Sequence, residues 1–137
     1  MADRIRKVDY FHLMVSNTPG QGASIMQSLA DAGVNLLAFS GFPNGRRAQI
    51  DLIPENAAKL RAVAKQLKLK LSPRKTGFLL RGSDRVGALT GLLNRLAEAD
   101  INVTAVDAVT SGQGRFGAIF WVKPDQVGRT ARLLKAK

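Results

Sequence analysis

Two short stretches carry residue types from which a small-molecule site can be built. Ser16-Asn17-Thr18-Pro19-Gly20 is answered sixty-seven positions later by Ser83-Asp84-Arg85-Val86-Gly87. Each is a polar turn closed by glycine and followed by an amphipathic run. The first backbone N–H groups of a helix have no partner within it, and they receive carboxylate oxygens well. An Asn17 amide beside them can both donate and accept. Gly20 and Gly87 let the backbone come close to a ligand. Asn17, Thr18 and Asp84 are also residues of the kind that cap helices, and Pro19 suits a first helical turn. Capping is expected at both turns, with ligand contact in addition at the first.

Catalysis finds no comparable foothold. The single His12 lies mid-strand between Phe11 and Leu13, where packing suits it better than proton transfer. Asp31, Glu55, Glu98, Asp100 and Asp125 fall at helix ends or turns, and no acid pair, nucleophile–base pair or metal-ligand spacing stands out. The chain has no cysteine, which excludes disulfides and thiolate metal sites. Gly112-Gln-Gly-Arg-Phe-Gly117 spells the dinucleotide-binding signature but joins two strands, whereas that signature must open a helix. No enzyme activity, metal or cofactor is expected.

The elements that would position these turns are themselves repeated. Phe11 and Leu13 correspond to Phe78 and Leu80, Leu29 to Leu96, and Val34-Asn35-Leu36 to Ile101-Asn102-Val103. Pro54-Glu55 returns as Pro124-Asp125 at an offset of seventy, so the second copy holds three extra loop residues. In the first copy, period-two and period-3.6 patterns predict a strand over 8–15 and a helix to Ala32 capped by Gly33. Strands over 34–42 and 47–53 follow, then a helix opened by Pro54 and a fourth strand on Leu67, Leu69 and Leu71. The second copy predicts a strand over 76–82, a helix over 86–99, strands over 101–110 and 115–123, and a helix over 124–136. Strand-helix-strand-strand-helix-strand is the ferredoxin-like arrangement. The expected fold is therefore α+β, with one repeat over 1–72 and another over 76–137 that lacks its own last strand. That open edge must be short, covered by the N-terminal arm, or completed by another chain. Leu79, Ile119 and Trp121 make the second sheet face apolar too, which calls for a covering layer.

The net charge of +11 implies attraction to anions. No apolar run approaches the ~20 residues of a membrane span, and nothing in the N-terminal residues resembles a signal peptide. A cytoplasmic location is expected.

The doubled turn and the Asn that opens each second strand resemble a tandem of ACT domains, small-molecule-binding regulatory modules that usually take amino acids. The resemblance covers nearly the whole chain. In the serine-binding members, an Asn in the first turn and an Asn opening the second strand hold the ligand where domains meet. Asn17 and Asn35 occupy those places, while the second copy keeps Asn102 and carries Asp84 in its turn. Val15 stands where those domains have His. The resemblance implies ligand contacts from Asn17, Thr18, Pro19, Gly20, Asn35 and Leu36, and weaker ones from Asp84, Gly87, Asn102 and Val103. The missing last strand of the second copy and the apolar face around Trp121 lead to the expectation of a homodimer or higher oligomer, and a partner enzyme or regulator is expected to receive the output. The rival class is a basic RNA-recognition module of the same topology, binding nucleic acid. Such modules stack bases on aromatics of an open sheet face, and here Trp121 stands alone on the relevant strand.

Overall fold

In the computed structural model of the chain, residues 3–137 are described. They form two units, one of residues 9–75 and one of residues 76–137 together with the N-terminal residues up to Val8. The first strand, β1 (Arg4–Ser16), runs through both.

The unit of residues 9–75 continues from β1 through α1 (Gln21–Asp31), β2 (Leu36–Asn44), β3 (Arg47–Pro54) and α2 (Ala57–Gln66). Its strands are antiparallel in the order β2-β3-β1, with Phe11 opposite Leu52 and Leu13 opposite Ile50. Alternation along each strand puts these four side chains on one face. They are buried with Ile25 and Leu29 of α1 and with Leu60 and Val63 of α2. A two-residue turn with Gly45 at φ 66° joins β2 to β3, the backbone that a tight hairpin requires. Gly33 ends α1 as expected, at φ 76°. Its N–H donates to the Ala30 carbonyl, and that of Val34 to the Leu29 carbonyl at 2.9 Å.

Three local expectations are corrected. The predicted fourth strand on Leu67, Leu69 and Leu71 is not a strand. The same left-handed termination takes its backbone first: Lys68 has φ 56°, and the Leu69 N–H donates to the Ala64 carbonyl at 2.9 Å. Leu69 and Leu71 still pack against the core. The stretch is tied to β1 where Ser72 N–H donates to the His12 carbonyl and His12 N–H to Ser72 Oγ. Pro54 ends β3 rather than opening α2, whose cap is Asn56, with Oδ1 accepting the Lys59 N–H at 3.1 Å. Finally, no side chain caps α1 or α3, so Asn17 and Asp84 do not play the capping part.

The other unit adds β4 (Lys75–Ser83), α3 (Thr90–Glu98), β5 (Val103–Gly112), β6 (Arg115–Val122), a 3-10 turn (Pro124–Gln126) and α4 (Val127–Leu134). Its strand order is β1-β4-β6-β5, with the N-terminal part of β1 at the edge. The missing last strand is thus supplied by the N-terminal arm. This differs from a repeat boundary that keeps residues 1–8 in the first copy. The physical reason is length: β1 has 13 residues, more than twice a usual strand. Ile5 packs on the core of this second unit. That core sets Phe78, Leu80, Phe116 and Phe120 against Leu92 and Leu96 of α3 and Leu134, with the Phe78 and Phe120 rings stacked at 5.1 Å. Ile119 and Trp121, on the other sheet face, are also buried within the single chain. The Gly112–Gly117 signature is a hairpin turn, with Gln113 and Gly114 both at positive φ. Among the described residues no helix is long and apolar enough to cross a membrane.

Candidate ligand-binding site

β1 leaves its sheet at Ser16, whose Oγ shares a hydrogen bond of 3.0 Å with Thr18 Oγ1. The exposed turn 17–20 then brings the chain to α1 through Gly20 at φ 90°, a left-handed conformation that disfavours any residue with a Cβ. Ser24 N–H donates to the Gly20 carbonyl at 2.9 Å. The earlier N–H groups of the helix receive no side-chain cap.

Beside this turn is a cleft of about 310 Å³. Asn17, Thr18, Gln21 and Gly22 line it together with Phe39 and Phe42 of β2 and Gln49 and Ile50 of β3. The register sets Phe39 and Ile50 on the α1 face of the sheet and Phe42 and Gln49 on the other. Pockets for small ligands combine an apolar wall with a few convergent polar groups, and this cleft has both. Phe39 and Phe42 are each 42% exposed, an unusual state for phenylalanine. Gln49 is held from both ends: Asn44 Nδ2 donates to its Oε1 at 2.9 Å, and its own Nε2 donates to Asp51 Oδ1 at 2.8 Å.

The other residues implicated by the sequence lie elsewhere. Pro19 and Gly20 shape the turn without lining the cleft. Asn35 is exposed just before β2, and its Nδ2 donates to Glu55 Oε2 at 2.7 Å, while Glu55 N–H donates back to the Asn35 carbonyl. Asn35 thereby ties the start of β2 to the end of β3, and neither it nor Leu36 lines the cleft. At the second turn, Asp84 N–H donates to the Gly114 carbonyl at 2.8 Å, Gly87 has φ 72°, and Asn102 and Val103 lead into β5. Gln21, Gly22, Phe39, Phe42 and Gln49 were not singled out from the sequence. The signal available for them was the pair Phe39 and Phe42 beside the Pro43-Asn44-Gly45 hairpin turn, apolar bulk where a hairpin end should be polar.

Behind the cleft, Asp51 is a buried carboxylate on β3. Burial of Tyr10 and, after it, the Asp51 charge raise the pKa of Tyr10 above its usual 10.0. Tyr10 is the one tyrosine of the chain, so phenolate absorbance reports it alone. Its titration midpoint is expected to lie higher in the folded protein than in urea. A raised pKa contributes stability that is complete below the unfolded value and lost as pH rises through the folded one. Tyr10→Phe should therefore flatten the decline of stability above about pH 10.

No protein-family model and no curated protein matches the chain. Solved structures do. Protein BT0572 from Bacteroides thetaiotaomicron superposes with a TM-score of 0.82 at 14% identity, covering 96% of this chain and 88% of that one. The ligand-free regulatory subunit of aspartate kinase from Thermus thermophilus gives a TM-score of 0.63 at 12% identity, covering 98% and 93%. A C-terminal regulatory domain of aspartate kinase from Porphyromonas gingivalis gives 0.53 at 11%, covering 98% and 94%. At these identities the likeness concerns the fold, and the fold is α+β, built of ACT-like ferredoxin-type repeats.

Proposed function

We propose that the chain is a non-catalytic regulatory module that binds an amino acid in the cleft beside the first turn. The observation that supports this is one small cleft lined by the start of α1, which no side chain caps, by Asn17, Thr18 and Gln21, and by the half-exposed Phe39 on the α1 face of the sheet. Uncapped amides suit a carboxylate, the amide of Asn17 suits an ammonium or a second oxygen, and the Phe39 ring suits an apolar side chain. The fold is shared with subunits whose names describe them as regulatory, which supports the same role here. Regulation follows if the ligand binds two arrangements of the protein unequally, and only to the extent of that difference. The output passes to a partner enzyme or regulator, or through the oligomer.

A thermal-shift panel of the twenty amino acids tests this. A ligand at a hundred times its dissociation constant adds about 2.7 kcal/mol of stability, a shift of several degrees. A flat response to all twenty would remove amino acids as the ligand class.

The nucleic-acid reading requires exposed aromatics on which bases can stack. Phe78, Phe116, Phe120 and Trp121, the aromatics of the unit that holds β4 to β6, are all buried.

Self-association is proposed through β5. This edge strand is exposed from Thr104 to Gly112, with Val109 72% and Val106 39% exposed, and such an edge invites another strand. Val106→Lys with Val109→Lys is expected to shift sedimentation toward the monomer without lowering the melting temperature. Trp121 is not the residue to test, because it is already buried in one copy. A parent protein that sediments as a monomer at micromolar concentration would contradict the proposal.

A further inference from the structure

Every residue lining the cleft beside the first turn is uncharged. The charged residues of β3, Arg47 and Asp51, alternate onto the opposite sheet face and are engaged there. Arg47 donates to the Met14 carbonyl at 2.9 Å, and Asp51 accepts from Gln49 Nε2 at 2.8 Å. On the face that α1 covers, Phe39, Gly41 and Pro43 succeed one another along β2, opposite Leu52, Ile50 and Ala48. Val15 of β1 completes the row, opposite Ala48. The sheet is therefore low at Gly41 and Ala48, with the Phe39 ring beside them. A Cβ on Gly41 would meet only that ring, at 3.7 Å.

The backbone does not require this low floor. Gly41 lies inside the edge strand β2 and lacks the positive φ of Gly20 and Gly45. Glycine within a strand weakens it, and it marks places where another group comes close. The other repeat shows the alternative. Its ladder sets Gly82 opposite Phe116 where the first has Val15 opposite Ala48. It sets Ala108 opposite Ala118 where the first has Gly41 opposite Ile50. Phe116 is buried, and a Cβ on Gly82 would come within 2.8 Å of its ring. The second unit thus fills this place with its own aromatic side chain, and the first leaves it open.

An ionic side chain placed on such a floor would give up water with no opposite charge to replace it. An apolar side chain gains from the same burial. The volume of about 310 Å³ stands at the low end for small-molecule sites, so size is restricted as well as charge. We propose that Gly41 and Ala48, walled by Phe39, form the side-chain subsite of the cleft and select an amino acid with an uncharged, apolar side chain. The proposal rests on the amino-acid reading above and adds its specificity. Gly41 is the residue that sets how large a side chain is admitted.

Calorimetry on the full chain with leucine, alanine, glutamate and lysine tests the proposal. The parent is expected to bind leucine more tightly than glutamate or lysine. Gly41→Val raises the floor under the ligand side chain, so the affinity for leucine relative to alanine should fall about tenfold. Ala48→Val, on the same floor, should move the ratio in the same direction. Ala108→Val, at the place in the other unit that corresponds to Gly41, should leave the ratio within about twofold of the parent. Melting curves confirm that each variant folds. Glutamate or lysine binding better than leucine, or a ratio unchanged in both floor variants, would overturn the subsite while the amino-acid reading stands. A parent that binds none of the four would remove that reading and the subsite with it.

Discussion

Gly22→Val is expected to weaken amino-acid binding at the cleft beside the first turn by up to about 100-fold while leaving the fold intact. Gly22 lies in the first turn of α1, lines the cleft, and has nothing within 4 Å of the place a Cβ would occupy. The new side chain therefore enters the space in which the ligand would sit. Within a helix, valine is no worse than glycine, so stability should stay within about 0.5 kcal/mol of the parent. Steric exclusion of this kind costs about 1–3 kcal/mol, a loss of affinity of up to about 100-fold. Gly20→Val does not discriminate in this way, because the φ of 90° at Gly20 makes any side chain there a strain on the turn itself. Asn17→Ala is the complementary probe. Asn17 does not cap α1, so its removal should leave the melting temperature nearly unchanged and lower only the affinity. Calorimetry and melting curves on the three variants check these outcomes together.

A chain beginning at Asp9 is expected to lose the stable structure of the unit that contains β4, β5 and β6. The missing arm includes Ile5, which packs against the Phe78–Phe120 core, and Val8, which is 5% exposed. Fully burying one aliphatic side chain contributes about 1.5–3 kcal/mol; Val8 supplies about that much and the partly buried Ile5 less, before the ladder to β4 is counted. Whole domains are stable by about 5–15 kcal/mol. Loss of the arm also exposes the edge of β4, which then becomes a site for pairing with other chains. Amide exchange over residues 76–83 should become fast, while β3 and α1 keep their protection. Protection of β4 equal to that in the full chain would contradict the assignment of the arm to this unit.

The repeat itself was plain in the sequence, because a conserved spacing of strand, turn and helix patterns reflects local rules. Phe11 and Leu13, Leu29, Gly33 and their counterparts at 78, 80, 96 and 100 all take the roles that periodicity gave them. Asp100 stands at φ 59° where the first repeat has glycine, so the termination is preserved even though the residue type is not. What could not be read was non-local. The Leu67-Leu69-Leu71 alternation is a strand pattern, yet its backbone is consumed by the end of α2, and the edge left open in the second copy is filled by residues near Arg4. The sequence allowed the N-terminal arm as one of three ways to close that edge, and pairing between distant segments decided among them. The site was legible in part. Asn17 and Thr18 were named from turn chemistry and do reach a cleft. Asn35 was named from the resemblance, and its amide is engaged by Glu55. Phe39, Phe42 and Gln49 could be placed only once β2 and β3 had been brought opposite the turn.

The most direct test is nuclear magnetic resonance on isotope-labelled full chain titrated with the amino acid that the thermal-shift panel selects. The account predicts saturable amide shifts concentrated in residues 16–24, 39–43 and 48–50, led by Gly22 and Ala23 at the start of α1. Saturable shifts confined to the neighbourhood of Asn35, or to the turn around Asp84 and Gly87, would place the ligand elsewhere and contradict it.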